Sequence, residues 1–259
     1  DAAPGEFSCR ARPEAAGAAG AVEGVVAAVF PAEAEASAAA APRVAGSVLA
    51  QPLSPEDQAA ISDAIARAEQ KTCGEIVVVA ALASDGYRSF GVLWAALLAL
   101  AVPMPLIFST KWPVEIIYLL QLLVFFVCLV LFQWHKLRYA LVPRPVKRAR
   151  AHQRAVEQFL AQNLHTTEGR TGVLIYVSFA ERFAEVIADA GIYQKVPPST
   201  WEDVVGELTN HLAVGSTTEG FIRAIERCGK ILAKHFPPGM ANPNELPNHL
   251  IMLDAYGRP

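Results

Sequence analysis

The chain has 259 residues, 53% hydrophobic and 18% charged, with a formal net charge of -3 and a mean hydropathy of +0.29. That length holds one globular domain plus a further segment, or two small domains, and excludes a large multidomain enzyme. The lack of a Lys/Arg excess excludes a protein that coats nucleic acid with basic surface, because phosphate affinity is built from cations. Cys9, Cys73, Cys128 and Cys228 are too dispersed for a zinc site or a disulfide framework and read as ordinary thiols.

Residues 1–52 are dominated by Ala, Gly, Pro and Glu, contain no Lys and show no sustained periodicity. They read as a low-complexity, disordered extension and are assigned no function. From Leu53 the pattern sharpens. Ser54-Pro55-Glu56-Asp57 supplies a capping hydroxyl, a first-turn proline and first-turn acids. Ile61, Ala64, Ile65 and Ala68 then share one face of a helix to about Gln70, broken by Thr72-Cys73-Gly74. Glu75 to Leu82 is a continuous, β-branched apolar run, the mark of a strand covered on both faces.

Two further runs are longer. Phe90 to Phe108 carries no charge, and Val114 to Trp134 carries only Glu115. Each is long enough as a helix to cross a hydrocarbon layer of roughly 30 Å, and the five residues between them allow only a tight hairpin. Trp94, Trp112, Tyr118 and Trp134 include rings near the expected membrane boundaries. After the second run come Lys136, Arg138, Arg144, Lys147, Arg148, Arg150 and Arg154, whereas the hairpin tip offers only Lys111. This bias predicts a cytoplasmic side for everything outside the hairpin, both termini included. It also favours anionic lipid over nucleic acid as the partner of the basic stretch, at about 1 kcal/mol per residue.

Beyond the hairpin, the pattern predicts a helix from about Val146 to Gln162 with Ala155, Val156, Phe159 and Leu160 on one stripe. A buried strand at Val173 to Val177 follows, then an edge strand at Phe183 to Asp189. Ser199-Thr200-Trp201-Glu202 and Ser216-Thr217-Thr218-Glu219 each read as a capping box opening an amphipathic helix, the second ending at Pro237-Pro238. The tail to Pro259 is proline-rich, with a short apolar stretch at Leu250 to Leu253. Strands flanked by helices predict an α/β fold, a small αβα sandwich interrupted by a two-helix transmembrane hairpin. The helix and strand before the hairpin are too little to bury a core alone, so both soluble pieces are expected in one domain, close against the bilayer. The expected segments are 1–52 (extension), 53–88 (first part of the domain), 89–135 (hairpin), 136–238 (second part) and 239–259 (tail).

Several motifs in this order carry a resemblance: Leu53-Ser54-Pro55, Cys73-Gly74-Glu75-Ile76-Val77-Val78-Val79, Thr171 to Val177, Glu181-Arg182, Asp189-Ala190-Gly191-Ile192 and Gly220-Phe221. Over roughly Leu53 to Pro238 the chain resembles the TPM domain family, in particular its bacterial membrane-anchored branch with a two-span hairpin after the first strand. The resemblance implies a bacterial inner-membrane, multi-pass protein. It also implies one of several activities, since family members are described as an acid phosphatase and as a receptor auxiliary subunit, and some bind a divalent cation through loop acids.

No zincin, P-loop, nucleophile-elbow or cysteine-phosphatase motif is present, and the six histidines are dispersed, so no catalytic residue is nominated. Loops at strand ends are where ligands collect in α/β folds. Arg182, Asp189 and Gly191 are therefore the candidate ligand-binding residues, and Asp85, Asp189 and Asp203 the candidate ligands for Ca²⁺ or Mg²⁺. Where family members carry a Gly-x-Gly turn and then an acid, this chain reads Asp189-Ala190-Gly191 and Pro197-Pro198-Ser199. The expected function is a membrane-anchored interaction or accessory module whose partners are the bilayer and another membrane protein, with no nucleic acid. The alternative is a metal-dependent phosphatase acting on phosphomonoesters. A transporter fits poorly, because no ionisable residue lies at mid-membrane depth.

Overall fold

A computed structural model describes residues 53–132, 134, 139–167, 169–238 and 246–254. The expected extension at 1–52 and most of the proline-rich tail lie outside these residues. The chain divides into two units, one comprising residues up to Ser84 and from Ala151 onward, the other Asp85–Arg150.

In the first unit, α1 (Pro55–Glu69) opens on a full capping box: the Ser54 hydroxyl accepts from the Asp57 amide at 3.1 Å, and the Asp57 carboxylate accepts from the Ser54 amide at 3.1 Å. Four strands form one sheet: β1 (Glu75–Ala81), β2 (Gly172–Ser178), β3 (Phe183–Ala188) and β4 (Leu250–Leu253), in the order β3-β2-β1-β4. β1 pairs parallel with β2, Glu75 opposite Gly172 through Ala81 opposite Ser178, so strands from either side of the hairpin segment share one sheet. β4 adds to β1 in parallel, and β3 runs antiparallel on the β2 edge.

Side-chain alternation divides this sheet into two buried faces. Ile76, Val78, Ala80, Val173, Ile175 and Val177 pack with α1 and with the later helices α7 (Pro198–Ala213) and α8 (Thr217–His235). Val77, Val79, Leu174, Tyr176 and Ile187 pack on the opposite face with Ala151, Ala155 and Phe159 of α5 (Arg144–Ala161). Helices on both faces explain why β1 and β2 are apolar without interruption. A short helix, α6 (Ala190–Tyr193), follows β3.

Two expected capping boxes are not formed. α7 starts at Pro198, whose fixed φ suits the first helical position, with Pro197 as the cap and no side-chain cap bond, so Ser199 already lies inside the helix. At α8, Ser216 is the cap residue but its side chain makes no capping bond, and Glu219 is engaged with Arg223 at 2.7 Å instead of reaching back. The apolar stretch Leu250 to Leu253, expected in the tail, is strand β4.

The second unit contains α2 (Arg88–Ala101), α3 (Pro103–Ser109) and α4 (Val114–Leu131). The first apolar run is thus two helices. Val102 between them keeps right-handed helical torsions, so Arg88–Ser109 forms a 22-residue helical path, and Pro103 and Pro105 fall in the first turn of α3, where a missing N–H is tolerated. Arg88–Ser109 and the 18-residue Val114–Leu131 are both long and apolar enough to cross a membrane. Gly91, Ala95 and Ala99, at spacing four, are the buried residues of α2, and a Cβ at Gly91 would stand 3.2 Å from Phe132 Cβ. The small-residue stripe is used inside the hairpin. Most large apolar side chains of these helices are exposed, Phe108 by 84% and Val114 by 76%.

Candidate functional site

The carboxyl ends of β1 and β2 converge on a cluster of polar side chains. Tyr176 and Ser178 alternate with Leu174 and therefore point to the face covered by α5. The chain leaving β1 is held here by Phe179 N–H to Ala81 O and Ala180 N–H to Leu82 O, both 3.0 Å. These bonds bring Ser84 over the sheet end. Its hydroxyl donates to Ser178 Oγ at 3.0 Å, and Ser178 in turn donates to the Glu181 carboxylate. Each serine hydroxyl has one proton to give. In the 3.0 Å contact between Ser84 Oγ and Tyr176 OH, the phenol must then be the donor. The result is a directed chain from Tyr176 through Ser84 and Ser178 to Glu181. The Ser84 amide also donates to both Glu181 oxygens, at 3.2 and 3.1 Å.

Burial pushes the Tyr176 phenol up to about 12, against the bond with Ser84 that lowers it and with the charge of Glu181 adding to the rise. The phenol therefore stays protonated at neutral pH. Directly opposite Tyr176 across the β2–β3 pairing stands Glu185, fully buried. Both of its oxygens lie within bonding distance of His152 Nδ1 on α5, at 2.9 and 3.1 Å. Burial raises the Glu185 carboxyl to about 7, with His152 opposing the shift. The His152 side chain is 41% exposed, so the imidazole links the buried carboxylate to the surface.

The other end of the sheet carries Asp189. Its amide donates to Gly172 O at 2.9 Å, which places it beside the amino end of β2, away from the Ser84 cluster. One carboxylate oxygen accepts from the Ala190 amide; the other is buried and takes no hydrogen bond. Burial raises this carboxyl, while the Ala190 amide and the nearby Arg170 and His165 lower it. Gly191 packs here against the Gly169-Arg170 backbone: a Cβ would come within 2.5 Å of Gly169 O and 2.6 Å of Arg170 O. Also at the amino end of β1, the buried Glu69 accepts from the Ile76 amide at 2.9 Å. Burial lifts its carboxyl to about 8, and the charge of Glu75 adds to the rise.

The nominated residues are thus dispersed. Arg182 is exposed in the β2–β3 turn with φ of 51°. Asp203 lies on α7 facing Arg227 at 3.5 Å. Asp85 belongs to the hairpin unit, where it accepts from the Tyr87 amide at 3.2 Å and pairs with Arg150 at 3.5 Å. Among the described residues no three His, Cys, Asp or Glu side chains are grouped to hold a metal ion. The residues that do converge, Ser84, Tyr176, Ser178, Glu181, Glu185 and His152, were not nominated from sequence. The available signals were the polar Tyr176 and Ser178 inside an apolar strand and the acid at the centre of Phe183–Ala188.

Comparison with known proteins places the TPM domain family on residues 136–231. Among solved structures, the chain is similar to the NMR structure of the BA42 protein from the psychrophilic bacterium Bizionia argentinensis, at 21% identity over 78% of this chain and 97% of that one, with a TM-score of 0.49. No curated protein matches.

Proposed function

We propose that the chain is a multi-pass protein of a bacterial inner membrane, held by the α2–α4 hairpin, and that its sheet unit serves as an interaction or accessory module for a membrane complex on the cytoplasmic side. The observation that carries this reading is the pair of long apolar helices whose large side chains are mostly exposed. In water such a surface would drive association; in lipid it is matched. The module reading is supported by the use of the polar groups at the carboxyl end of the sheet, where Ser84, Ser178 and Glu181 secure the chain's own backbone and hydroxyls. A fold by itself licenses no chemistry. The test is extraction with alkaline carbonate, with reporter fusions at Gly86 and after Pro259, followed by purification in mild detergent. Retention in the membrane pellet, cytoplasmic reporter signal and a stoichiometric membrane-protein companion are expected. Release by carbonate or periplasmic signal overturns the reading.

A phosphatase acting on phosphomonoesters is the second reading, favoured only by the buried, unbonded oxygen of Asp189. Turnover of a generic phosphomonoester with Mg²⁺ or Ca²⁺ that is lost on Asp189→Ala would establish it in place of the accessory role.

A further inference from the structure

Charge is strongly segregated between the two units. Asp85–Arg150 carries eight Lys and Arg against two Asp and Glu, leaving fourteen against twenty-three for the rest of the chain. Six of the eight cations lie in residues 136–150. Of these, Arg144, Lys147 and Arg148 open α5 at spacings of three and four, which sets them on one helical face. Arg150 pairs with Asp85, but among the described residues none of these three makes an ion pair. No acid occurs in α5 before Glu157.

Contacts within this unit fix which end of the hairpin bears the cations. Trp94 Nε1 of α2 donates to Leu141 O at 3.3 Å, and Tyr139 OH donates to Asp85 O at 3.1 Å. The Tyr87 and Tyr139 rings meet edge to face with centroids 5.4 Å apart. The start of α5 is thereby tied to the Arg88 end of α2, which the close approach of Gly91 to Phe132 also makes the Leu131 end of α4. Phe126, Val127, Val130 and Leu131 form an exposed apolar surface along the last turns of α4 at that same end.

We propose that Arg144, Lys147 and Arg148 form a binding face for the phosphate headgroups of anionic phospholipids, whose acyl chains lie against the exposed apolar side chains at the same end of α4. The inference rests on the bilayer reading above and adds the lipid class. Three unpaired cations beside an apolar surface match a ligand with a phosphate at one end and hydrocarbon at the other. A nucleic acid offers the phosphate but no hydrocarbon chain to cover the aliphatic surface of Val127, Val130 and Leu131.

The test reconstitutes the full chain in phosphatidylcholine bilayers containing a minor fraction of phosphatidylglycerol and reads spin-labelled lipid at the protein surface. Labelled phosphatidylglycerol is expected to be enriched over labelled phosphatidylcholine by at least about fivefold, the ratio a single engaged cation supplies. The enrichment should fall to near parity at high salt and in the combined Arg144→Gln, Lys147→Gln, Arg148→Gln variant. It should persist when Arg144 and Arg148 are replaced by Lys and when Lys111, at the other end of the hairpin, is replaced by Gln. Equal association of both lipids with a chain that still resists carbonate extraction overturns the inference and leaves the bilayer reading standing. So does binding of a single-stranded RNA oligonucleotide that is lost in the triple variant without any lipid preference. Release by carbonate removes the bilayer reading and this inference together.

Discussion

The Ser84 amide donates to both carboxylate oxygens of Glu181, residues 97 positions apart in sequence. Ser84 is the last residue of the sheet unit before the hairpin segment, so Glu181 fixes the point at which the chain departs. Glu181→Ala leaves that amide and the Ser178 hydroxyl without their acceptor and should cost about 2 kcal/mol, with Ser178→Ala costing about 1 kcal/mol. Urea unfolding of the full chain in detergent measures both, and equal costs of zero would show that the clamp is not formed.

The buried carboxyls predict an unusual pH profile. Glu185 is raised from 4.5 to about 7 and Glu69 from 4.5 to about 8, burial being the main cause of each. In the unfolded chain both ionise near 4.5, whereas the folded protein resists ionising them. Their contribution is therefore full below about pH 4.5 and is lost as pH rises through 7 and 8. The sheet unit should weaken from mildly acidic to neutral conditions. Glu185→Gln, which still accepts from His152, should flatten the part ending near 7, by on the order of 3 kcal/mol. Urea midpoints at successive pH values test this, and parallel curves for the two proteins would refute it.

Two glycines should respond oppositely to alanine. At Gly191 the added methyl meets Gly169 O and Arg170 O inside 2.7 Å, whereas at Gly206 on α7 nothing lies within 4 Å. Gly191→Ala should destabilise by about 1 to 3 kcal/mol through overpacking. Gly206→Ala should stabilise by about 0.4 to 1 kcal/mol through reduced freedom of the unfolded helix. The difference in unfolding midpoint between the two variants is the readout.

Cys228 is fully buried, and burial pushes its thiol up to about 12, while Cys73 is partly accessible. A thiol reagent at neutral pH should modify Cys73 before Cys228, and Cys228 only as the sheet unit opens. Peptide mass spectrometry of a labelling time course checks the order, and early modification of Cys228 would contradict the packing of α8.

Local signals were legible in the sequence. Ser54 and Pro55 announce α1, and the β-branched run from Ile76 announces a strand covered on both faces, because capping and periodicity act within a few residues. Leu250 to Leu253 was not legible as a strand, since four residues in a proline-rich stretch acquire that status only by lying against β1. Glu219 satisfied the capping pattern yet found Arg223 one turn on, a competition that spacing does not rank. The polar cluster was hidden for a different reason: Ser84 meets Ser178 only because Ala81 registers with Ser178 in a parallel pair, and no local pattern encodes that register.

That parallel pairing bears on how the protein is made. Glu75 faces Gly172, 97 positions later, and Val78 must wait a further stretch for Leu250. At roughly 5 to 20 residues per second of synthesis, β1 emerges several seconds before its first partner exists. Throughout that interval both hydrogen-bonding edges of an apolar strand are bare, which is the condition under which nascent chains aggregate. The pairing therefore leaves β1 dependent on burial of its edges by segments made much later in synthesis.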